Sequence, residues 1–322
     1  MSGAPDLRAT ERHDPGFEAF LADVTEGLRA SPKTLPCKYF YDERGSRLFD
    51  DICELEAYYP TRTELKIMRD AAPEIASALG SAVRLVEYGS GSSIKTRILL
   101  DHLRDPAAYV PVDISAEHLT RSAAELSSAY PGLKVLPVCA DFTRDFPLPE
   151  VPEAKRTVVY FPGSTIGNFS PKDAAEFLRG VADLCGPGGG LLIGVDLVKD
   201  RPVLERAYND EEGVTAAFNL NLLRRLNREL GANFELDGFL HVARWNPEES
   251  RIEMHLTSER DQQVQLGEHT FSFAKGETIH TESSYKYRLE SFARLAAEAG
   301  FDRSEVWTDE RDWFSVQLFT VA

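Results

Sequence analysis

Two glycines separated by one residue, Gly89 and Gly91, follow a short apolar run that ends near Glu87. A helical pattern of apolar residues begins at Ile94, so the segment has the form of a strand, a tight turn and a helix. Such a turn presents backbone N–H groups at the positive end of a helix dipole, where polar or anionic parts of nucleotide-like ligands bind. A pair of glycines is also typical of an ordinary turn between a strand and a helix. The pair alone leaves both interpretations open.

Acidic residues follow the next two strand-like runs. Asp113 ends the run that starts at Tyr109, at about the distance at which a doubly wound fold places an acid against ribose hydroxyls. The run 134–139 is followed by Asp141 and Phe142, an acid and an aromatic ring that suit an adenine amino group and ring face. Strand ends of this kind, in this order, favour a cofactor that contains a nucleoside.

The glycine pattern distinguishes between two such cofactors. A dinucleotide-binding turn has a third glycine three residues after the second, where this chain has Ile94. An acid before the turn, two glycines and an acid for the ribose suit S-adenosylmethionine better than a pyrophosphate. We therefore predict S-adenosylmethionine, with a NAD-binding oxidoreductase as the weaker alternative.

Two further polar residues are candidates for a substrate site. Asn168 lies in a glycine-containing loop after the fourth strand-like run, where open α/β sheets bind ligands, but asparagine is also common in simple turns. Glu282 lies in a strand-like segment, where its carboxylate is either solvated or buried against a hydrogen-bond donor. The pattern leaves both alternatives open for each residue.

An irregular segment near the N-terminus contains four tyrosines, Tyr39, Tyr41, Tyr58 and Tyr59. Each hydroxyl would need a partner if all four were core residues, so a wall that contacts a cation is an equal alternative. Tyr208 stands near the start of a later segment, where a structural role is the simpler explanation.

Composition excludes several classes of protein. The 322 residues carry a formal charge of −16, which disfavours nucleic acid and anionic membranes as partners. The 4 cysteines lack CxxC spacing and the 7 histidines lack ligand spacing, so we predict no metal. Met1–Gly16 lacks the apolar core of a signal peptide, and no apolar run is long enough to cross a membrane. We predict a cytoplasmic protein with no membrane partner.

Strand and helix patterns alternate from 83 to 198, which indicates a parallel sheet covered on both faces. Before this region, Thr61–Glu64 has the form of a capping box and predicts a helix that begins there and ends near Gly80. After it, 211–230 predicts one long helix. Strand-like runs follow at 239–245, 251–256, 271–273 and 281–287.

Several longer segments resemble the histidine Nα-methyltransferases of ergothioneine biosynthesis, from about Phe17 to the C-terminus. These segments are 38–42, 56–64, 86–97, 163–168, 196–200, 213–219 and 251–254. The resemblance implies an α/β fold with a Rossmann-like class I S-adenosylmethionine-dependent methyltransferase core and a second α+β substrate-binding domain. The core would comprise residues 61–198 and 287–322, and the second domain an N-terminal segment, 1–60, and an insertion, 199–286.

The resemblance also implies the reaction and its residues. The α-amine of L-histidine would receive three methyl groups from S-adenosylmethionine, giving hercynine and S-adenosylhomocysteine without a metal. The cofactor site would comprise Gly89, Gly91, Lys95, Asp113, Asp141 and Phe142. The catalytic residues would be Tyr41, Tyr58 and Asn168, and the substrate-binding residues Tyr58, Gly163, Asn168, Tyr208, Thr215, Met254, Glu282 and Ser284.

Two positions depart from the family pattern. Cys37 stands where a proline is expected, and Ser283 stands where an aliphatic residue is common. Both lie near implied site residues without replacing one. A related enzyme acting on another amino acid such as tryptophan, and a non-catalytic module that binds S-adenosylmethionine, stay open as alternatives. We expect a monomer.

Overall fold

The computed structural model describes residues 15–89, 94–144 and 146–322. The helices of the described residues are α1 (Pro15–Arg29), α2 (Glu43–Glu54), α3 (Tyr59–Leu79), α4 (Ile94–Leu100), α5 (Ala116–Ala129), α6 (Pro171–Cys185), α7 (Arg201–Tyr208), α8 (Val214–Leu230) and α9 (Leu289–Glu298). The strands are β1 (Lys33–Thr34), β2 (Val83–Tyr88), β3 (Ala108–Asp113), β4 (Val138–Cys139), β5 (Arg156–Phe161), β6 (Gly190–Asp196), β7 (Phe239–Asn246), β8 (Arg251–Ser258), β9 (Gln262–Leu266), β10 (His269–Phe273), β11 (Thr278–Tyr285), β12 (Phe301–Thr308) and β13 (Phe314–Val321).

The chain divides into two units, Met1–Tyr58 with Arg201–Ser283 and Tyr59–Asp200 with Ser284–Ala322. The second of these, called here the sheet unit, contains a seven-stranded sheet in the order β12-β13-β6-β5-β2-β3-β4. Strands β2 to β6 pair in parallel, and β13 runs antiparallel to both of its neighbours. The predicted Rossmann-like core is confirmed.

Apolar residues cover both faces of this sheet, as expected for a doubly wound fold. On one face, Val86 and Phe161 pack in a cluster with Leu178 of α6 and Phe292 of α9. On the other face, the cluster includes Leu85, Tyr160 and residues of α3 and α4. From β2 the chain adds β3 and β4 on one side of the sheet, and it then crosses to add β5 and β6 on the other side. The strand order therefore reverses between β2 and β5. Ligands of open α/β sheets bind at the carboxyl ends of the strands at such a point.

The other unit, called here the insertion unit, mixes helices with two small sheets. Its larger sheet has the order β1-β11-β8-β7, and a separate hairpin is formed by β9 and β10. Strands β7 and β8, which correspond to the predicted runs 239–245 and 251–256, pair antiparallel, and β1 pairs in parallel with β11. Its substrate-binding role stays a prediction.

The capping-box prediction is wrong. The predicted helix is present and ends at Leu79, but it begins at Tyr59, so Thr61 lies inside the first turn and does not cap it. Glu64 is completely buried and forms an ion pair with Lys95. The local sequence pattern therefore indicated a helix cap at Glu64, although the carboxylate of this residue pairs with the distant Lys95.

Other differences in secondary structure have local causes. The helix predicted from Glu211 begins at Val214, because Gly213 has a φ of 75° and the Asp210 carboxylate accepts the N–H groups that open the helix. Only Val138–Cys139 of the run 134–139 is a strand, since Pro137 has no N–H to donate to a ladder. Strand β9, whose sequence is mostly glutamine, was not predicted.

The N-terminal part of the insertion unit is more regular than predicted. The segment with the tyrosines contains α2 and a short 3-10 helix, Cys37–Phe40. Helix α1 begins at Pro15, and residues 1–14 lie outside the described residues. Within the described ranges, no helix is both long and apolar enough to cross a membrane.

Candidate functional site

The turn after β2 is held against the neighbouring strand. Gly89 has a φ of 71°, in the left-handed region that favours glycine, and its N–H donates to the carbonyl of Val112, 2.9 Å away. This bond fixes the end of β2 beside the end of β3, so that Gly89 and Asp113 belong to the same edge of the sheet. Gly91 lies outside the described residues.

Glu87 lies just before this turn and is 3% exposed. The hydroxyls of Thr96 and Tyr109 both donate to its Oε2, each at 2.6 Å. Burial raises the pKa of the Glu87 carboxyl to about 7, and the two hydrogen bonds oppose that shift. The carboxyl therefore connects β2, β3 and α4, and its charge changes near neutral pH.

Glu64 connects the segments that follow β2 and β5, the two strands between which the strand order reverses. Its carboxylate forms an ion pair with Lys95 of α4 and accepts the N–H of Gly163, with both oxygens 3.0 Å from that nitrogen. Gly163 follows β5 and has a φ of 79°. A Cβ at Gly194 would overlap the carboxylate, so the glycine on β6 leaves the space that Glu64 occupies. Lys95 and Gly163, both implied site residues, are thus brought together by a residue that sequence reasoning placed in a helix cap.

The two acids implied for the cofactor lie at or after the ends of strands: Asp113 is the last residue of β3, and Asp141 follows β4. The carboxylate of Asp113 accepts the N–H of Ser115 at 2.9 Å, which fixes its orientation after β3. Asp141 accepts both the N–H and the hydroxyl of Thr143, at 3.0 and 2.6 Å. Each carboxylate is therefore preoriented by its own loop.

Phe142 lies beside Asp141 but its ring belongs partly to the core. The ring stacks on that of Tyr88, with centroids 5.2 Å apart and planes inclined by 11°. Because one face is covered, a ligand would contact the opposite face or the edge of the ring.

Asn168 ends a short 3-10 helix, Thr165–Asn168, in the loop after β5. The loop is anchored at Ser164, whose φ is 56° and whose Oγ accepts the N–H of Asp196 at 2.9 Å. A Cβ at Gly167 would lie 2.8 Å from the Tyr285 carbonyl, so this glycine permits a close approach to the chain that follows Ser284. Asn168 and Ser284, both implied to bind substrate, therefore belong to adjoining segments of the sheet unit.

The four tyrosines of the N-terminal segment have different surroundings. Tyr39 donates to Asp23 at 2.7 Å, and Tyr59 donates to Asp196 at 2.8 Å, so both hydroxyls are paired with carboxylates in their own units. Tyr41 and Tyr58 both contact the ring of Phe49. The sequence could not separate these pairs, because the tyrosines alternate along the segment without a helical or strand period.

Tyr41 and Tyr58 belong to a group of rings in the insertion unit, called here the aromatic wall. The ring of Phe49 lies 5.6 Å from that of Tyr41 and 6.4 Å from that of Tyr58, both edge-on. The ring of Tyr58 in turn lies 5.9 Å from that of Tyr208, and Phe218 of α8 packs behind Phe49 at 6.0 Å. Sequence reasoning had not assigned Phe49 or Phe218 to the site. Two signals were available: Phe49 lies between Tyr41 and Tyr58 in the irregular segment, and Phe218 lies in the family-like segment 213–219.

The hydroxyls of Tyr41 and Tyr58 stay protonated. Burial, followed by the charge of Glu282, raises the pKa of Tyr41 well above its ordinary value, although the residue as a whole is 43% exposed. Burial also raises the pKa of Tyr58, with a smaller effect from Tyr208. Neither hydroxyl is a base at neutral pH.

The remaining implied substrate residues lie on β8, β11 and α8. Met254 is buried on β8, and its carbonyl accepts the hydroxyl of Thr281 at 3.1 Å. Glu282 and Ser284 are two residues apart in β11, a spacing that places side chains on the same side of a strand. Thr215 is buried at the start of α8, and its N–H donates to Asp210 at 2.8 Å.

The two departures from the family pattern lie next to these groups. Burial, followed by the charge of Glu282, raises the pKa of the Cys37 thiol to about 12, so the thiol stays neutral. The hydroxyl of Ser283 lies 3.2 Å from Nε2 of His280. Among the residues that the structure describes, no group of three or more His, Cys, Asp or Glu side chains is placed to hold a metal ion.

Known proteins resemble this chain in sequence over most of its length. The chain is 47% identical over 310 residues to a histidine N-alpha-methyltransferase of Mycolicibacterium smegmatis, covering 95% of this chain and 96% of that protein. It is 35% identical over 285 residues to ergothioneine biosynthesis protein 1 of Neurospora crassa, covering 86% of this chain and 32% of that longer protein.

A solved structure, the CcbJ methyltransferase of Streptomyces caelestis, is 16% identical, with a TM-score of 0.47 and coverage of 79% of this chain and 95% of that one. The sequence model described as "Histidine-specific methyltransferase, SAM-dependent" matches residues 20–321. The chain therefore belongs to the family of S-adenosylmethionine-dependent, histidine-specific methyltransferases.

Proposed function

We propose that this chain transfers three methyl groups from S-adenosylmethionine to the α-amine of L-histidine, producing hercynine in the first step of ergothioneine biosynthesis. Membership of the family supports the histidine substrate and the methyl donor. The single structural observation that supports the reaction best is the aromatic wall, in which Tyr41, Phe49, Tyr58 and Tyr208 are in ring contact.

The chemistry requires a surface that accepts a growing positive charge. Each methyl transfer is an in-line displacement, so the amine must arrive unprotonated and aligned, at roughly 3–3.5 Å from the carbon it attacks. The amine becomes a cation that has progressively fewer N–H groups to donate. Ring faces stabilise such a cation by about 0.5–2 kcal/mol per contact without needing an N–H group. An aromatic wall is therefore better suited to the second and third transfers than a carboxylate would be.

The wall binds and orients the amine without deprotonating it. Since the pKa values of Tyr41 and Tyr58 are raised, their hydroxyls stay neutral and can pass a proton only through water. Solvent would take the proton between transfers. Asn168 would donate to the carboxylate and accept from the amine, and Tyr208 would donate a second bond to the carboxylate. Gly163 would border the amine.

The side-chain subsite would comprise Glu282, Ser284, Met254 and Thr215. A carboxylate that faces a ring N–H favours imidazole over an apolar ring, which would leave the carboxylate unpaired. The cofactor would be held by Gly89, Gly91, Lys95, Asp113, Asp141 and Phe142, and it supplies an electrophilic methyl group on a sulfonium. The described members of this set fit a nucleoside, because Asp113 and Asp141 are preoriented carboxylates at strand ends.

The proposal is tested with a panel of amino acids incubated with S-adenosylmethionine and analysed by mass spectrometry, with NMR to locate the methyl groups. Histidine should gain three methyl groups, all on the α-nitrogen. Preferential methylation of tryptophan would show instead that this chain is a related methyltransferase with a different amino-acid substrate. Methylation of an imidazole nitrogen would contradict the placement of the ring beside Glu282.

A further inference from the structure

A buried lysine fixes the orientation of the Ser284 hydroxyl. Lys286 is 3% exposed, and its Nζ lies 2.8 Å from Ser284 Oγ and 2.7 Å from Asp196 Oδ2. An ammonium group has hydrogens to donate and no lone pair. Ser284 Oγ must therefore accept from Lys286, and its own O–H points elsewhere.

The position of Lys286 is itself determined by a fully paired carboxylate. Asp196 is 1% exposed, accepts the hydroxyl of Tyr59 at 2.8 Å, and forms a second ion pair with Lys199 at 2.5 Å. Burial opposes the charge of Asp196, but Lys286 and Lys199 together hold the pKa of its carboxyl below the ordinary value. A buried charge with several good partners allows little rearrangement, so the ammonium of Lys286 has a fixed direction.

We propose that Lys286 is a positioning residue that makes the Ser284 hydroxyl the hydrogen-bond donor to the substrate ring. The inference rests on the proposed function, in which Ser284 and Glu282 bind the imidazole. Neutral imidazole has one N–H and one bare nitrogen. The Glu282 carboxylate accepts from the first, and the Ser284 hydroxyl donates to the second, because the ammonium of Lys286 already donates to Ser284 Oγ and polarises its O–H. Imidazolium and apolar rings lack the bare nitrogen.

Lys199 provides a matched control. Both lysines pair with Asp196 and both are buried, but only Lys286 donates to Ser284. If the lysines served only to neutralise Asp196, replacing either one would have the same effect. If Lys286 acts through Ser284, only its replacement should alter the binding of histidine.

The experiment compares KM and kcat for histidine among the wild type, Lys286→Met, Lys199→Met, Ser284→Ala and the double variant Lys286→Met/Ser284→Ala. Lys286→Met should raise KM about tenfold with a small change in kcat, as expected for one lost hydrogen bond in the bound state. Lys199→Met should change KM less than about twofold. The double variant should likewise differ from Ser284→Ala by less than about twofold in KM. Binding of S-adenosylhomocysteine, measured by calorimetry, should be the same in all variants.

A second measurement uses the two isomers of pyrrolylalanine, which keep a ring N–H and replace the bare nitrogen with carbon. The wild type should bind both isomers more weakly than histidine, and Lys286→Met should weaken them no further. If Lys286→Met does not fold, two double variants are compared instead, Lys286→Met/Asp196→Asn and Lys199→Met/Asp196→Asn. Each double variant removes one positive and one negative charge, so the net charge of the cluster stays at its wild-type value.

Equal increases in KM for the two lysine variants would overturn the inference, and so would an undiminished effect of Lys286→Met in the Ser284→Ala background. Either result would leave the proposed function intact, since the wild type would still methylate histidine. Failure of the wild type to methylate histidine would instead contradict the proposed function itself.

Discussion

The carboxylate of Glu64 accepts the backbone N–H of Gly163, 99 residues further along the chain, with both oxygens 3.0 Å from the nitrogen. The same carboxylate pairs with Lys95. One buried side chain of α3 therefore sets the position of two implied site residues that belong to different loops. Removing it would disturb both loops at once.

Glu64→Ala should lower the free energy of unfolding by about 3–5 kcal/mol, because it leaves Lys95 and the Gly163 N–H without their partner. Glu64→Gln should cost less, since its amide oxygen can still accept from Gly163. Lys66→Ala, which removes exposed ion pairs with Asp70 on the same helix and with Glu310, is the control and should have little effect. Denaturant unfolding and binding of S-adenosylhomocysteine measure the outcome. Stability equal to wild type in Glu64→Ala would contradict the role given to this residue.

The sequence could predict those features that depend on neighbours along the chain. Strand β2, the turn at Gly89 and the acid at Asp113 follow from apolar periodicity and glycine placement, and they occur where expected. The Rossmann-like core follows from the alternation of such segments. These features need no knowledge of the rest of the fold.

The sequence could not predict features that depend on distant partners. Tyr58 and Tyr59 are adjacent, yet Tyr58 joins the aromatic wall and Tyr59 donates to Asp196, 137 residues away. Glu64 matched a helix-capping pattern, although its partners are Lys95 and Gly163. The resemblance to a family gave the roles of the site residues, but it did not indicate what holds those residues in place.

Asp113 gives a test of the cofactor site. Asp113→Ala should weaken binding of S-adenosylhomocysteine by about 1.5–3 kcal/mol, through loss of charge-assisted hydrogen bonds to the ribose. Glu117→Ala, an exposed acid in the first turn of α5, is the matched control and should leave affinity unchanged. Isothermal titration calorimetry measures both. Tight binding of NAD, with no response to S-adenosylhomocysteine, would contradict the assigned cofactor.

Glu87 should make the stability of the protein depend on pH. Its folded-state pKa is about 7, against 4.5 as the ordinary value, so the folded protein binds the proton more tightly than the unfolded chain. Stability from this group is therefore lost as the pH rises from 4.5 through 7 and does not change further above that range.

Glu87→Gln should remove that pH dependence. The amide oxygen of the introduced glutamine can accept both hydroxyls that now donate to one carboxylate oxygen, from Thr96 and Tyr109. The variant should match the wild type near pH 4.5 and be more stable by about 3 kcal/mol above pH 7. Thermal unfolding of both proteins across this range measures the difference. Parallel stability profiles would show that Glu87 is ionised at all these pH values.

Tyr58 should contribute its ring more than its hydroxyl. Because burial raises the pKa of that hydroxyl, Tyr58→Phe should lower kcat/KM by about tenfold or less and leave the alkaline side of the pH profile unchanged. Tyr58→Leu should cost more, since it also removes the ring face that, in the proposed function, stabilises the substrate cation. Tyr39→Phe, whose hydroxyl bonds to Asp23, is the control for loss of a tyrosine hydroxyl in the same segment. Loss of an ionisation from the pH profile of Tyr58→Phe would identify Tyr58 as a base.

Glu282 should determine which amino acid is methylated. A carboxylate paired with a ring N–H favours histidine, and sites built around a polar group reject substrates that lack its partner. Glu282→Ala should lower kcat/KM for histidine by about 2–4 kcal/mol. The change also removes the penalty for an apolar ring, so tryptophan should lose less than histidine or improve. Glu277→Ala, one residue before β11 and paired with Lys33, is the control and should affect neither substrate. Steady-state kinetics on both amino acids decides the matter, because an equal loss on both would mean that Glu282 supports the fold and does not contact the substrate ring.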